Sequence, residues 1–114
     1  MPSPTGPFTD IYCDLTTDLP LTTTGYDSVF VVVDKFTKMT IYIPTVKTAT
    51  ASMLVQLFLR YVVCHYGAPE KIFTDHDPRF VGEIWNDFGS MLGIKLHRST
   101  PYHPQSDGQT ERQN

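Results

Sequence analysis

The segment Lys71-Ile72-Phe73-Thr74-Asp75 decides the fold, because it has the pattern of a short apolar strand that ends in a carboxylate. A helical pattern precedes it, with apolar side chains at Leu54 and Phe58 and a glycine stop at Gly67. A strand that returns after a helix usually pairs in the parallel direction, since antiparallel neighbours need only a tight turn. The segment therefore predicts an α/β protein in which residues 71–75 lie parallel to the first strand.

Three strands are predicted upstream of that helix. Residues 9–15 form the first strand, and residues 28–34 are a continuous β-branched run, typical of a strand covered on both faces. Residues 39–44 alternate and form the third strand, after a short turn at residues 35–38. These three strands are expected to make an antiparallel meander.

Three helices complete the predicted order βββ-α-β-α-β-α. Thr48 or Thr50 caps the first helix, whose side chains at helical spacing are Leu54, Leu57, Phe58, Tyr61 and His65. Asp77 and Pro78 start the second helix, whose predicted buried stripe is Phe80, Ile84, Trp85, Phe88 and Met91 or Leu92. Gly93 ends that helix, residues 94–98 form a fifth strand, and the last helix begins at Ser106.

Length and composition indicate one soluble globular domain of 114 residues with a formal net charge of −3. Residues 1–7 are expected to be a flexible lead-in without a signal peptide, and residues 8–114 the domain itself. The longest apolar run, residues 53–63, is too short to cross a bilayer, so no membrane association is expected. Cys13 and Cys64 lack C-x-x-C spacing, which disfavours a zinc site and favours an intracellular setting. The acidic balance argues against strong non-specific binding to DNA.

Three carboxylates at the ends of separate segments are the candidate chemistry of this chain: Asp14, Asp75 and Glu111. Acidic side chains gathered from separate segments make an all-oxygen site, which suits Mg²⁺ or Mn²⁺ rather than Zn²⁺. Asp75 and Glu111 have 35 residues between them. The spacing and the local sequences around the acids, rather than any acid alone, carry the interpretation.

With these motifs the chain resembles the catalytic core of the D,D-35-E integrases, most closely those of gypsy-type LTR retrotransposons. The likeness lies in four ordered blocks: residues 13–20, residues 25–28 leading into 31–39, residues 74–80, and residues 102–112. It implies a ribonuclease H-like fold with a five-stranded mixed sheet. It also implies that further helices of the fold follow residue 114, so that the core is incomplete at its C-terminus and its uncovered apolar surface invites self-association.

The resemblance further implies a function and a set of site residues. Asp14, Asp75 and Glu111 would be the catalytic metal ligands for two ions of Mg²⁺ or Mn²⁺ when substrate is bound. Tyr102, Gln105 and Asn114 would contact DNA. The implied activity is removal of nucleotides from 3′ ends of element DNA, followed by strand transfer into target DNA. The implied partners are DNA and further copies of the chain, at work in the nucleus. The full-length protein would also carry an N-terminal zinc-binding domain and a C-terminal basic domain.

Several choices stay open from the sequence. Asp77 is best explained as an N-cap and Asp34 as a structural acid, with Lys35 or Lys38 as its expected partner. Asp107 lies on the same helical face as Glu111, and Arg79 either supports Asp75 or contacts phosphate. Two other functions remain alternatives to an integrase: a ribonuclease H-type two-metal nuclease, and a domesticated, non-catalytic interaction module.

Overall fold

The sheet has the mixed topology that the sequence predicts. The computed structural model describes residues 6–20 and 24–98. Its sheet has five strands in the order β3-β2-β1-β4-β5, with β1 Asp10–Thr16, β2 Ser28–Asp34, β3 Thr40–Thr45, β4 Lys71–Thr74 and β5 Lys95–Arg98. Strands β1, β2 and β3 pair antiparallel, whereas β4 pairs parallel to both β1 and β5. The predicted meander and the predicted parallel return are both confirmed.

The second strand is less enclosed than its sequence suggests. Its burial alternates, with Phe30 and Val32 in the core and the intervening valines half-buried. The expectation that β2 is covered on both faces is therefore only half correct. One face carries the helices, and β-branched side chains also suit the pleat of the half-covered face.

The first helix begins where Thr50 caps it, with the Thr50 hydroxyl accepting from Met53 N–H. Helix α1, Ala51–Phe58, continues through a π-helical turn, Leu59–Val63, into α2, Cys64–Tyr66. A π turn is wider than an α turn. The core residues consequently fall four apart, at Leu54, Phe58 and Val62. Tyr61 and His65, which continue the helical spacing seen in the sequence, are exposed.

The second predicted helix is two helices. Helix α3, Pro78–Val81, ends at Gly82, and α4, Glu83–Leu92, starts there. Gly82 adopts an extended ψ of −176°, which breaks the helical phase. Phe80, Trp85 and Phe88 are buried as predicted, but the other predicted members of the stripe are exposed: Ile84, Met91 and Leu92.

The core lies between the helices and one sheet face, and aromatic side chains dominate it. The Trp85 ring makes edge contacts with Phe80 and Phe88 at centroid distances of 5.2 Å, and Phe58 packs beside them. The Trp85 indole N–H has no acceptor within the described ranges. None of the described helices is long and apolar enough to span a bilayer.

Candidate metal and nucleic-acid site

The parallel pairing of β1 and β4 brings two of the predicted acids to one edge of the sheet. Asp10, Ile11 and Tyr12 pair with Lys71, Ile72 and Phe73. Continuing that register by two residues sets Asp14 level with Asp75, which directly follows the end of β4. Neighbouring strands lie about 4.8 Å apart. Both acids are half-buried, so the two carboxylates share a partly enclosed edge.

The topology makes this edge a natural binding position. The chain leaves β1 towards β2 on one side and returns at β4 on the other, so β1 and β4 flank the point where the strand order reverses. In open α/β sheets, ligands bind at the carboxyl ends of the strands at such a point. Asp14 and Asp75 lie there.

Local hydrogen bonds fix the Asp75 side chain. Asp77 N–H donates to Asp75 Oδ1 at 3.0 Å, which closes a tight side-chain turn after β4. Asp77 then caps α3, with its Oδ1 accepting from Arg79 N–H at 2.8 Å. The interpretation of Asp77 as an N-cap is confirmed.

Arg79 pairs with Asp77 rather than contacting Asp75 directly. Its Nε donates to Asp77 Oδ1 at 3.0 Å and its Nη2 donates to Asp77 Oδ2 at 3.1 Å. Burial raises the pKa of Asp77, but the hydrogen bonds from the Arg79 guanidinium and backbone outweigh burial and hold that pKa below its usual value. Asp77 is therefore an ionised structural acid beside the candidate site.

A second ion pair borders the site on the β1 side. Lys47 Nζ lies 2.9 Å from Asp18 Oδ1, and this hydrogen bond lowers the pKa of Asp18. Asp18 has a φ of 63°, in the left-handed region that small residues and aspartate tolerate best. Both side chains are mostly exposed, so the pair orders the loop without anchoring the fold.

The Cys13 thiol is a poor metal ligand at this site. Burial, with the neighbouring Asp14 charge adding to it, raises the pKa of the Cys13 thiol well above its usual value. Cys13 therefore stays protonated at neutral pH and packs in the core. Asp14 and Asp75 offer carboxylate oxygens instead, which a hard divalent cation prefers.

The remaining predicted site residues lie outside the described residues: Glu111, Tyr102, Gln105 and Asn114. The rival acid Asp107 and the predicted last helix lie there too. Within the described ranges, no three side chains of the histidine, cysteine, aspartate or glutamate type come together as a metal cluster. Asp14 and Asp75 thus form the described part of the predicted three-acid site.

Sequence reasoning missed an aromatic row next to the acids. Tyr12 pairs with Phe73, which pairs with His97, and the Phe73 and His97 rings stack at a centroid distance of 4.8 Å. The Lys35 ammonium lies 4.0 Å from the centroid of Phe73. The available signal was the spacing, since Tyr12 and Phe73 each precede a predicted metal ligand by two residues and so share its face of the sheet.

Comparison with known proteins identifies the family. The family model described as the integrase core domain matches residues 4–104. The chain belongs to the integrase core domain family. It is 40% identical over 108 residues to the Transposon Tf2-3 and Tf2-4 polyproteins of Schizosaccharomyces pombe. That match covers 95% of this chain and 8% of each polyprotein, so the chain spans a small part of these relatives.

Solved structures share the fold. The chain is similar to a chain of the simian T-cell lymphotropic virus intasome in complex with PP2A regulatory subunit B56 gamma, with a TM-score of 0.70 and 28% identity over 95% of this chain and 37% of that one. It is also similar to the HTLV-2 integrase catalytic core domain in complex with magnesium, in its trimeric form. There the TM-score is 0.67 and the identity 26%, over 95% of this chain and 65% of the other. The expected ribonuclease H-like integrase core is confirmed.

Proposed function

We propose that this chain carries out divalent-metal-dependent phosphodiester chemistry on DNA: 3′-end processing of element DNA and strand transfer into target DNA. The observation that carries the proposal is the level placement of Asp14 and Asp75 on neighbouring strands. Membership of the integrase core domain family and the similarity to Tf2 polyproteins support it.

The residues fit a hard cation. Asp14, Asp75 and Glu111 would hold Mg²⁺ or Mn²⁺, which is consistent with the magnesium complex of the HTLV-2 integrase core. When bound, such ions lower the pKa of the attacking water or hydroxyl and stabilise the departing oxygen. Of the Asp75 oxygens, Oδ1 already accepts the Asp77 N–H, which orients the carboxylate before substrate arrives.

The chain's own side chains supply position rather than a covalent nucleophile. The half-buried carboxylates lie at the rigid end of paired strands, which holds them in place better than a free loop would. Tyr102, Gln105 and Asn114 would contact the DNA, with Tyr102 stacking on an unpaired end base at a gain of about 1–3 kcal/mol.

The wider assembly is part of the proposal. The chain would form a homo-oligomer on the ends of element DNA and work in the nucleus, and the trimeric form of the similar HTLV-2 integrase core supports the oligomer. Zinc-binding and basic domains elsewhere in the full-length protein would supply the DNA affinity that a net charge of −3 does not favour.

The test is reversal of strand transfer. The chain is incubated with Mn²⁺ and a branched strand-transfer product, beside Asp75→Asn and the control Glu70→Gln, an exposed acid directly before β4. Reversal that needs metal, is lost in Asp75→Asn and persists in Glu70→Gln supports the proposal. Cleavage of an RNA–DNA hybrid instead would indicate a ribonuclease H-type nuclease, and inactivity on both substrates would indicate a non-catalytic module.

A further inference from the structure

The Arg79 guanidinium is held almost entirely by acceptors within the protein. Besides its two hydrogen bonds to the Asp77 carboxylate, Nη1 donates to the backbone carbonyls of Lys47 at 2.7 Å and Ala49 at 3.1 Å. Two parallel hydrogen bonds to one carboxylate fix the plane of a guanidinium. Arg79 is therefore committed to the protein instead of being available for a phosphate.

The Asp77 end of this arrangement leads directly to Asp75. The Asp77 carboxylate is held by Arg79, and the backbone N–H of the same residue donates to Asp75 Oδ1. The Asp77 carboxylate also accepts the Arg79 backbone N–H, so its contacts with Arg79 restrain the turn whose backbone carries the Asp77 N–H. The orientation of the Asp75 carboxylate thus depends on a side chain that does not touch it.

The carbonyl groups that Arg79 contacts belong to the segment before α1, which is hydrogen-bonded to the loops on the β1 side. Lys47 N–H donates to Asp27 Oδ1 at 2.9 Å, and Lys47 Nζ donates to Asp18 Oδ1 at 2.9 Å. Through Lys47, the loop before α1 is tied to both ends of the connection between β1 and β2. Arg79 consequently joins the segment that follows Asp75 to the segment that follows Asp14.

We propose that Arg79 and Asp77 are positioning residues for Asp75, which fix its carboxylate for metal binding by bracing the loop after β4 against the loop before α1. The inference rests on the proposed function, in which Asp75 is a metal ligand. Substitution of a residue that orients a metal ligand in this way lowers metal affinity or activity by about 10- to 100-fold.

The chain contains a matched control for Arg79. Arg98 donates from Nε and Nη2 to the Phe80 carbonyl and from Nη2 to Asn86 Oδ1, so it too ties helices to the rest of the fold. These side-chain contacts go to Phe80 and Asn86, and none of them goes to Asp75 or Asp77. A lysine keeps the positive charge at either position but loses the planar fork. Arg79→Lys and Arg98→Lys therefore make the same chemical change with different expected consequences.

The experiment measures Mn²⁺ affinity by calorimetry, the Mn²⁺ concentration that gives half-maximal reversal of strand transfer, and the thermal unfolding midpoint. Arg79→Lys is expected to lower the Mn²⁺ affinity and to raise the half-maximal Mn²⁺ concentration, each by about 10- to 100-fold. Arg98→Lys is expected to leave both quantities near wild type, even if its unfolding midpoint falls as much as that of Arg79→Lys. Asp77→Asn is expected to act in the same direction as Arg79→Lys, and the double variant to be no worse than Arg79→Lys alone. Hydrogen exchange of the Asp77 amide should accelerate in Arg79→Lys.

Each result decides the matter. Equal metal affinities for wild type and Arg79→Lys, or equal losses in Arg79→Lys and Arg98→Lys, would overturn the inference, as would unchanged exchange of the Asp77 amide. Wild-type chain that binds Mn²⁺ without reversing strand transfer would refute the proposed function alone, and the affinity comparison would still judge the positioning role. Wild-type chain that binds no Mn²⁺ would overturn both.

Discussion

At the scale of single residues, the aspartates of this chain differ in role because they differ in partners. Asp34 is fully buried and its donors among the described residues are neutral, whereas Asp77 faces a guanidinium. Asp75 accepts one backbone N–H at the carboxyl edge of the sheet. The sequence identified Asp34 as structural, but its expected lysine partners were wrong. Backbone amides and a hydroxyl satisfy it instead.

Asp34 should be the most costly of these acids to change for stability. Its oxygens accept from Phe8 N–H at 2.9 Å, Phe36 N–H at 3.2 Å, Thr37 N–H at 3.2 Å and the Thr37 hydroxyl at 2.6 Å. Asp34→Asn replaces one carboxylate oxygen with an NH₂ group, so a hydrogen-bond donor then faces the existing donors. We expect a loss of about 2–4 kcal/mol in the free energy of unfolding, measured by urea titration at pH 7.

The same variant gives a pH signature. Burial raises the pKa of Asp34, but its hydrogen bonds outweigh burial and hold the pKa below its usual value. Because the folded pKa is the lower one, this stability is complete above the unfolded pKa of about 3.9 and disappears as pH falls through the folded pKa. The difference in the free energy of unfolding between wild type and Asp34→Asn should therefore narrow as the pH falls from about 5 to about 2. A pH-independent gap would contradict this account.

At the scale of elements, local sequence patterns predicted the strands and the helix ends, but they predicted the buried faces of the helices only in part. Period-two and β-branched runs located all five strands, and glycine and threonine located the helix ends. The π turn and the break at Gly82 change the helical phase, so Tyr61 is exposed although it continues the helical spacing, and the prediction that Ile84 is buried is wrong. Gly82 marks the second interruption in the sequence, whereas no glycine or proline marks the π turn at residues 59–63.

The π turn can be tested by comparing two neighbours on it. Val62 is fully buried and Tyr61 is 39% exposed. Val62→Ala removes core packing and should lower the free energy of unfolding by roughly 1–3 kcal/mol. Tyr61→Ala should change it by about 0.5 kcal/mol or less, in the same chemical denaturation experiment. A larger loss for Tyr61→Ala would indicate an uninterrupted α-helix with the other phase.

At Gly89, helix α4 lies close to Leu96 of β5. A Cβ at Gly89 would lie 3.0 Å from Leu96 Cδ1 and 3.1 Å from the Ile94 carbonyl oxygen. Alanine normally stabilises a helix interior by about 1 kcal/mol relative to glycine, but overpacking here costs about 1–3 kcal/mol. We expect Gly89→Ala to lower the thermal midpoint.

Gly82→Ala is the control for that substitution. At Gly82 a Cβ would meet only the Pro78 carbonyl, at an ordinary 3.5 Å, and the φ of −85° suits any residue. Its thermal midpoint should stay within a few degrees of wild type. Stabilisation by Gly89→Ala would show that Leu96 moves aside without cost.

At the scale of the whole molecule, an apolar groove lies on the helical side. It has a volume of about 300 Å³ and is lined by Val55, Leu59, Ile84, Asp87, Phe88, Met91 and Leu92. Met91 is 82% exposed and Ile84 is 47% exposed. Exposed apolar surface of this kind favours association.

Self-association through this groove should respond to charge. Met91→Lys places an ammonium in the groove and is expected to shift the chain towards monomer in sedimentation velocity over a concentration series. Lys38→Ala, on the exposed turn after β2, is the surface control. Unchanged sedimentation of Met91→Lys beside a self-associating wild type would place the contact elsewhere.

The candidate site was predictable to the extent that it depends on strand ends. Asp14 and Asp75 could be paired because parallel strands end at one edge. The bracing by Arg79 could not, since its acceptors near α1 are the backbone carbonyls of Lys47 and Ala49, which have no side-chain signature and lie about thirty residues away. Glu111 stays a prediction.

The most direct test of the central claim is a Mn²⁺ titration of the chain followed by NMR line broadening. Paramagnetic broadening should appear first and together at the amides around Asp14 and Asp75, and Asp75→Asn should abolish it at both. Broadening that begins instead around Asp87, or that persists at Asp14 after Asp75→Asn, would contradict a metal site shared by the two strands.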